Sequence, residues 1–115
     1  MENKQFIMSK LLKFQKPFYL CVKGDSMVPV INKLDHILVT PCDKSSIKTG
    51  DIIVYRKFQD HLTVHRVVNI VKLSDTRFYC ITKGDNNDDE DPYRVMNHEI
   101  IGIVKMKGLN ANEYC

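Results

Sequence analysis

The stretch DIIVYRKFQDHLTVHRVVNIV, residues 51–71, contains two runs that have the length of β-strands. Residues 52–55 form one of the longest apolar runs in the chain, which is far shorter than the eighteen or more residues of a transmembrane helix. Residues 62–71 are rich in β-branched side chains, with Val64, Arg66 and Val68 alternating against the residues between them. This pattern predicts two neighbouring strands, at 51–57 and 62–71.

Similar short runs occur along most of the chain and are separated by turns rich in Gly, Asp and Asn. We expect further strands at 18–22, 37–40, 77–83 and 100–107. Six or seven such strands predict a mainly β fold, either a coiled antiparallel sheet or a partly open barrel.

The chain begins with a segment of different character. In residues 4–15, apolar side chains lie at helical spacing and the lysines fall off that stripe, which predicts a short basic amphipathic helix ended by Pro17. We expect this helix to pack on its own domain, and contact with an anionic membrane surface is the alternative. We therefore expect one domain, with the helix in residues 1–17 and the β-rich part in 18–115.

Composition, net charge and cysteine spacing limit the kinds of protein that this chain can be. The 115 residues are 43% hydrophobic and 27% charged, which is typical of a folded globular chain. A net charge of +3 does not by itself indicate a nucleic-acid partner. The four cysteines show no metal-binding spacing, so we expect reduced, structural thiols and a reducing compartment.

Three places carry residues suited to chemistry. Ser26 lies on a turn just beyond a strand, and its hydroxyl needs a base to become a nucleophile. His65 lies between valines in a strand, where an imidazole can act as a general base. The third place is an acidic loop with five carboxylates in residues 85–91. Taken one by one, the serine and the histidine are more often structural.

The acidic loop resembles a calcium-binding loop only in part. Its sixth position is Glu90 rather than glycine, and its twelfth is Met96 rather than a bidentate acid, so an EF-hand is rejected. A weaker, irregular divalent site is the remaining alternative, and we expect no metal and no cofactor.

Together, the motifs resemble the signal peptidase I family in its endoplasmic-reticulum and archaeal-type branch. The matching segments are SMVP at 26–29, GDII at 50–53, VHRV at 64–67, KGDNNDDED at 83–91 and the closing IIGIV at 100–104. The resemblance covers most of the chain and implies the coiled β fold of signal peptidases and of the related LexA-type proteins.

The resemblance also implies roles. Ser26 corresponds to the nucleophile and its backbone N–H to an oxyanion donor, His65 to the general base, Asp91 to the aspartate that orients the histidine, and Asp85 to a second functional aspartate. The implied activity is a serine endopeptidase that removes a leader or signal segment from a precursor peptide, with small residues preferred at the cleavage site.

One departure leaves alternatives open. Gly24 and Asp25 precede Ser26, a form typical of LexA-type self-cleaving repressors, and the role of Asp25 is not assigned. Those repressors use a lysine base, whereas this chain has His65 at the matching strand. A self-cleaving regulator and a catalytically silent peptide-binding module remain the alternatives.

The place of action is a further expectation. Relatives in this branch carry a membrane anchor, and no such segment occurs in this sequence. We therefore expect a cytoplasmic leader protease, and peripheral contact with the inner membrane surface through residues 4–15 is the alternative to a helix packed on its own domain. A fragment from which the anchor was removed is the alternative.

Overall fold

A computed structural model describes residues 16–107, and every structural statement below concerns that part of the chain. It contains seven strands and two short 3-10 turns, Lys44–Ser46 and Asn97–Glu99. The strands are β1 Phe18–Cys21, β2 His36–Thr40, β3 Ile52–Phe58, β4 His61–Lys72, β5 Phe78–Lys83, β6 Val95–Met96 and β7 Ile100–Lys107.

The seven strands form one antiparallel sheet in the order β1-β2-β7-β3-β4-β5-β6. The sheet stays open, with β1 and β6 at its two edges. The prediction of a mainly β fold with a coiled antiparallel sheet is therefore confirmed. Each predicted strand is present with ends that differ by no more than one residue. The predicted helix at 4–15 lies outside the described residues.

Strand β3 lies in the middle of this sheet and is buried on both faces. Its residues Ile53, Val54 and Tyr55 are each 0% exposed. Because successive strand residues point to opposite faces, Ile53 and Tyr55 enter one hydrophobic cluster and Val54 enters the other. This explains why the sequence shows a continuous apolar run at 52–55 rather than an alternating pattern.

Register shifts interrupt the pairing at several points and add to the coiling of the sheet. One lies in β4 between Val67 and Asn69, and another lies in β2 between Leu38 and Val39. An extra residue of this kind bends its strand and increases the local twist. Because its strands bend and twist in this way, the sheet carries an apolar cluster on each of its two faces within fewer than 100 residues.

Strand β4 has a different neighbour along each half. Its residues Arg66–Lys72 pair with β5, whereas its first half pairs with β3 alone. In the described part of the chain, residues 61–65 of β4 therefore have one backbone edge without a strand partner. The β1 strand likewise pairs only with β2 there.

The described cysteines differ in oxidation state. Cys42 and Cys80 are free thiols, as expected, and burial raises the pKa of the Cys80 thiol to about 11. The expectation is wrong for Cys21, which is disulfide-bonded. Cys21 is partly buried at the end of an edge strand, whereas Cys80 is fully buried. Cys115 lies outside the described residues.

Candidate active site

Ser26 lies in a tight turn after β1, and buried apolar neighbours hold this turn in place. Met27 and Ile31 are each 1% exposed, and the Ile31 N–H donates to the Met27 carbonyl oxygen at 2.9 Å. The Val28 N–H donates to the carbonyl oxygen of Asp25 at 3.2 Å. Met27 and Ile31 thus anchor the turn that carries Ser26 in the core.

His65 projects from β4 and links the turn to the acidic loop. Its Nε2 lies 3.1 Å from Ser26 Oγ, and its Nδ1 lies 2.5 Å from Asp91 Oδ2. The side chains of His65 and Asp91 are only 10% and 9% exposed. Residues separated by 39 and 26 positions in sequence thus form one continuous hydrogen-bonded row of Ser26, His65 and Asp91.

Asp91 receives hydrogen bonds that the sequence motifs did not indicate. The Thr82 hydroxyl donates to Asp91 Oδ2 at 2.7 Å, and the Tyr55 hydroxyl donates to the same oxygen at 3.4 Å. Tyr55 also shares a 2.8 Å hydrogen bond with the Tyr93 hydroxyl. Burial raises the pKa of both tyrosines, so both keep their protons near neutral pH. Tyr55 and Thr82 lie inside strands, where each is an ordinary strand residue, and Tyr93 lies in the loop before β6, so no local sequence pattern indicates their contacts with Asp91.

Asp85, predicted as a second functional aspartate, lies beside this row and pairs with Arg66. The Arg66 guanidinium donates from two nitrogens to the two carboxylate oxygens of Asp85, at 2.8 and 2.7 Å. A third nitrogen of Arg66 donates to the Gly50 carbonyl oxygen at 2.8 Å. Arg66 therefore connects β4, next to His65, with both the acidic loop and the turn before β3.

The loop after β5 touches the Ser26 turn directly. The backbone N–H of Asn86 donates to the Ser26 carbonyl oxygen at 2.8 Å, and the Asn86 side-chain amide donates to the Asp25 carbonyl oxygen at 3.2 Å. The Asp85 N–H points to the sulfur of Met27 at 3.4 Å. The KGDN part of the motif thus positions the backbone of the serine turn.

Gly84 makes this contact possible, and we predict that alanine there disrupts it. A Cβ at Gly84 would lie 2.8 Å from the Ser26 carbonyl oxygen and 2.6 Å from Asn87 Nδ2. Moving the backbone of the turn to relieve such a clash costs about 1–3 kcal/mol. Gly84→Ala should therefore lower the thermal unfolding temperature. Gly24→Ala is the matched control, because a Cβ there meets nothing within 4 Å. Equal unfolding temperatures for the two variants would contradict this packing.

The Arg66–Asp85 pair predicts a pH dependence of stability. The hydrogen bonds from Arg66 lower the pKa of Asp85, whose side chain is 17% exposed. The pair therefore stabilises the fold above the unfolded carboxyl pKa of about 3.9, and this contribution is lost as the pH falls through the lower, folded value. Asp85→Asn should reduce the unfolding free energy at pH 7 by about 1 kcal/mol or more.

Chemical denaturation from pH 7 down to pH 3 checks this expectation. The difference between wild type and Asp85→Asn should shrink below about pH 4. Asp89→Asn is the control, since Asp89 is an exposed acid of the same loop and should leave the curve nearly unchanged. If the difference in unfolding free energy between wild type and Asp85→Asn stays constant across this range, protonation of Asp85 does not remove the stabilisation that the pair is expected to give.

A groove of about 580 Å³ opens beside Ser26. Its walls come from the end of β1 and the following turn, residues 20–24 with Ser26 and Met27, and from residues 61–64 of β4. Leu20, Val22, Leu62 and Val64 make much of this lining apolar. The groove therefore lies between β1 with its following turn and the first residues of β4.

The remaining acids of the loop do not join the row. Asp88, Asp89 and Glu90 are exposed. Within residues 16–107, no group of three or more histidine, cysteine, aspartate or glutamate side chains converges as metal ligands would. In the same range, no helix has the length and apolar character needed to cross a membrane.

Comparison with known proteins identifies the family of this chain. A model of the Peptidase S24-like family matches residues 2–105, which is nearly the whole chain. The chain belongs to the Peptidase S24-like family. The fold that brings the serine turn, the histidine strand and the acidic loop together is therefore that of a member of a peptidase family.

The curated relatives that match this chain include catalytic subunits of signal peptidase complexes. The chain is 30% identical over 78 residues to "Signal peptidase complex catalytic subunit SEC11C" of Homo sapiens and of Canis lupus familiaris. It is 31% identical over 65 residues to "Signal peptidase complex catalytic subunit SEC11" of Plasmodium falciparum. The matches cover 67% and 50% of this chain but only 40% and 35% of those relatives. A relationship to the signal peptidase I and S24 families is confirmed.

Proposed function

We propose that this chain is a serine endopeptidase of signal-peptidase type, with Ser26 as nucleophile, His65 as general base and Asp91 as the residue that orients the histidine. The observation that carries the proposal is the continuous row from Ser26 Oγ through the two imidazole nitrogens to Asp91 Oδ2. A serine hydroxyl is weakly nucleophilic alone and becomes reactive when a positioned base accepts its proton.

The proposed reaction follows from these contacts. Asp91 accepts the Nδ1 proton of His65, which leaves the lone pair of Nε2 facing Ser26 Oγ. Ser26 Oγ then attacks the peptide carbonyl carbon while Nε2 takes the hydroxyl proton. The backbone N–H of Ser26 is the proposed donor to the resulting oxyanion. His65 returns the proton to the leaving amine, and water later releases the acyl group by the same steps.

The groove supports a peptide in extended conformation as substrate. An extended peptide can form backbone hydrogen bonds with a strand edge, and its alternate side chains then enter the pockets below. Residues of β1 and residues 61–64 of β4 line the groove, both segments have an edge without a strand partner in the described part of the chain, and Ser26 also lines the groove. The mostly apolar lining favours a precursor segment with apolar and small side chains near the cleaved bond.

The finer biological assignment rests on resemblance and on the sequence. We propose that the substrate is a precursor peptide from which a leader or signal segment is removed. We place this activity in the cytoplasm or at the inner membrane surface, with residues 4–15 as the contact to anionic lipid. The names of the curated relatives support a signal-peptidase substrate class.

Self-cleavage is the second candidate function. Gly24 and Asp25 before Ser26 give the turn the form found in LexA-type self-cleaving proteins, and the family match is compatible with that activity. In that case the groove would receive a segment of the same chain. The base would still be His65 rather than the lysine of those repressors.

Incubation with synthetic peptides, followed by mass spectrometry, tests both candidates. The peptides carry an apolar segment followed by a pair of small residues separated by one variable position. Cleavage of such a peptide by wild type but not by Ser26→Ala supports the endopeptidase. Shortening of the chain itself without added peptide supports self-cleavage. The absence of both, together with no labelling of Ser26 by a fluorophosphonate, would identify a silent binding module.

A further inference from the structure

Three hydroxyl groups that the proposed catalytic row does not include lie beside Asp91. We call Tyr55, Thr82 and Tyr93 the hydroxyl cluster. Tyr55 and Thr82 are 0% exposed, and Tyr93 is partly buried against the same hydrophobic cluster. The Tyr55 hydroxyl lies within 3.5 Å of polar atoms of Thr82, His65, Asp91 and Tyr93, so all four groups meet at one point.

The contacts are arranged around a single oxygen. Asp91 Oδ2 is the atom that faces His65 Nδ1, and it is also the acceptor for Thr82 and Tyr55. Donation from a hydroxyl to a carboxylate is among the stronger hydrogen bonds in proteins. Because the Thr82 carbonyl oxygen also accepts the Asp91 backbone N–H at 2.8 Å, Thr82 holds both ends of this residue.

The two tyrosines complete the arrangement from the far side. A hydroxyl has one proton, so when Tyr55 donates to Asp91, the 2.8 Å contact requires Tyr93 to donate to Tyr55. The Tyr55 and Tyr93 rings are packed edge to face with centroids 6.2 Å apart, which limits their rotation. The proton order then runs from Tyr93 through Tyr55 to Asp91.

From this geometry we infer that the hydroxyl cluster positions Asp91, aiming Oδ2 at Nδ1 of His65 and thereby setting the tautomer that faces Ser26. The inference rests on the proposed function, since the tautomer matters for catalysis only if His65 is the base. Tyr55, Thr82 and Tyr93 are positioning residues, because they act on the reaction through Asp91 and, in the case of Tyr55, also through its contact with His65. They do not touch Ser26.

Variants at Thr82 test this directly. Thr82→Val keeps the shape of the side chain and removes the hydroxyl, and it should lower kcat for the cleaved peptide by about tenfold to a hundredfold with little change in KM. Thr82→Ser keeps the hydroxyl and should stay within about threefold of wild type. Tyr55→Phe, which keeps the ring, should lower kcat by a smaller factor. Val95→Ala, in the same core, should lower stability while leaving kcat unchanged.

A spectroscopic measurement separates this inference from the proposed function. The proton on His65 Nδ1 should give a far-downfield NMR signal in wild type, Thr82→Ser and Val95→Ala, and the signal should shift or vanish in Thr82→Val. If the signal depends on Thr82 but wild type cleaves no peptide and Ser26 does not react with a fluorophosphonate, positioning is supported and the peptidase proposal fails. If Thr82→Val and Tyr55→Phe both retain the wild-type signal and kcat, the inference is overturned. Should Thr82→Val not fold, Tyr55→Phe alone decides by the same two measurements.

Discussion

Ser26→Ala is expected to abolish peptide cleavage while leaving the fold intact. The hydroxyl is the proposed nucleophile, so its removal should lower turnover by at least about 10⁴-fold. Its side chain contacts His65 Nε2, whereas the contacts that hold the turn are made by backbone atoms and by the buried side chain of Met27. Those contacts remain in the variant. The unfolding temperature should therefore change little.

Measured turnover of the purified variant, with its unfolding temperature, checks this prediction. Ser74→Ala is the control, because Ser74 is an exposed serine in the segment between β4 and β5. It should cleave at the wild-type rate. Residual turnover by Ser26→Ala near the wild-type level would eliminate Ser26 as the nucleophile, whatever the effect at His65.

The second large effect is expected at Asp91. In Asp91→Asn the side chain can present an amide N–H to His65 Nδ1, which forces the imidazole proton onto Nε2, the nitrogen that must accept the proton of Ser26. Turnover should then fall by about 10³- to 10⁴-fold. The shape of the side chain is kept, so loss of packing is not expected to explain such a decrease.

Asp89→Asn is the matched control for Asp91→Asn, because both lie in the same acidic loop but Asp89 is exposed. Turnover of the control should change by less than about tenfold, which corresponds to roughly 1.4 kcal/mol in the barrier. Kinetics of the two purified variants, measured with one peptide, decide between them. An inactive Asp89→Asn and an active Asp91→Asn would mean that the aspartate was assigned to the wrong position.

Much of the fold could be predicted because strand periodicity is a local property. The runs at 51–57 and 62–71 became β3 and β4, and their ends moved by only one residue. Strand β6, with two residues, is too short to leave a pattern. The pairing order could not be read from periodicity either, since β7 lies between β2 and β3 although it is the last of the described strands.

The candidate site likewise has a part that the sequence predicted and a part that it could not predict. The motifs named Ser26, His65, Asp91 and Asp85, and the structure brings the first three into one row and places the fourth against Arg66. No local pattern could indicate that Arg66 would take both oxygens of Asp85. Such a contact depends on where two loops meet after folding.

The sequence by itself determined the strands, and its motifs supplied the proposed nucleophile, base and acid with the segments that carry them, because spacing and residue chemistry are properties of the chain. Only the tertiary structure decided that Thr82 and Tyr55 surround Asp91, that Gly84 lies against Ser26, and that a groove opens between β1 and β4. These contacts join residues far apart in the chain. They form because burying the two apolar clusters brings separate strands together, and a buried carboxylate such as Asp91 must then find donors among the side chains around it.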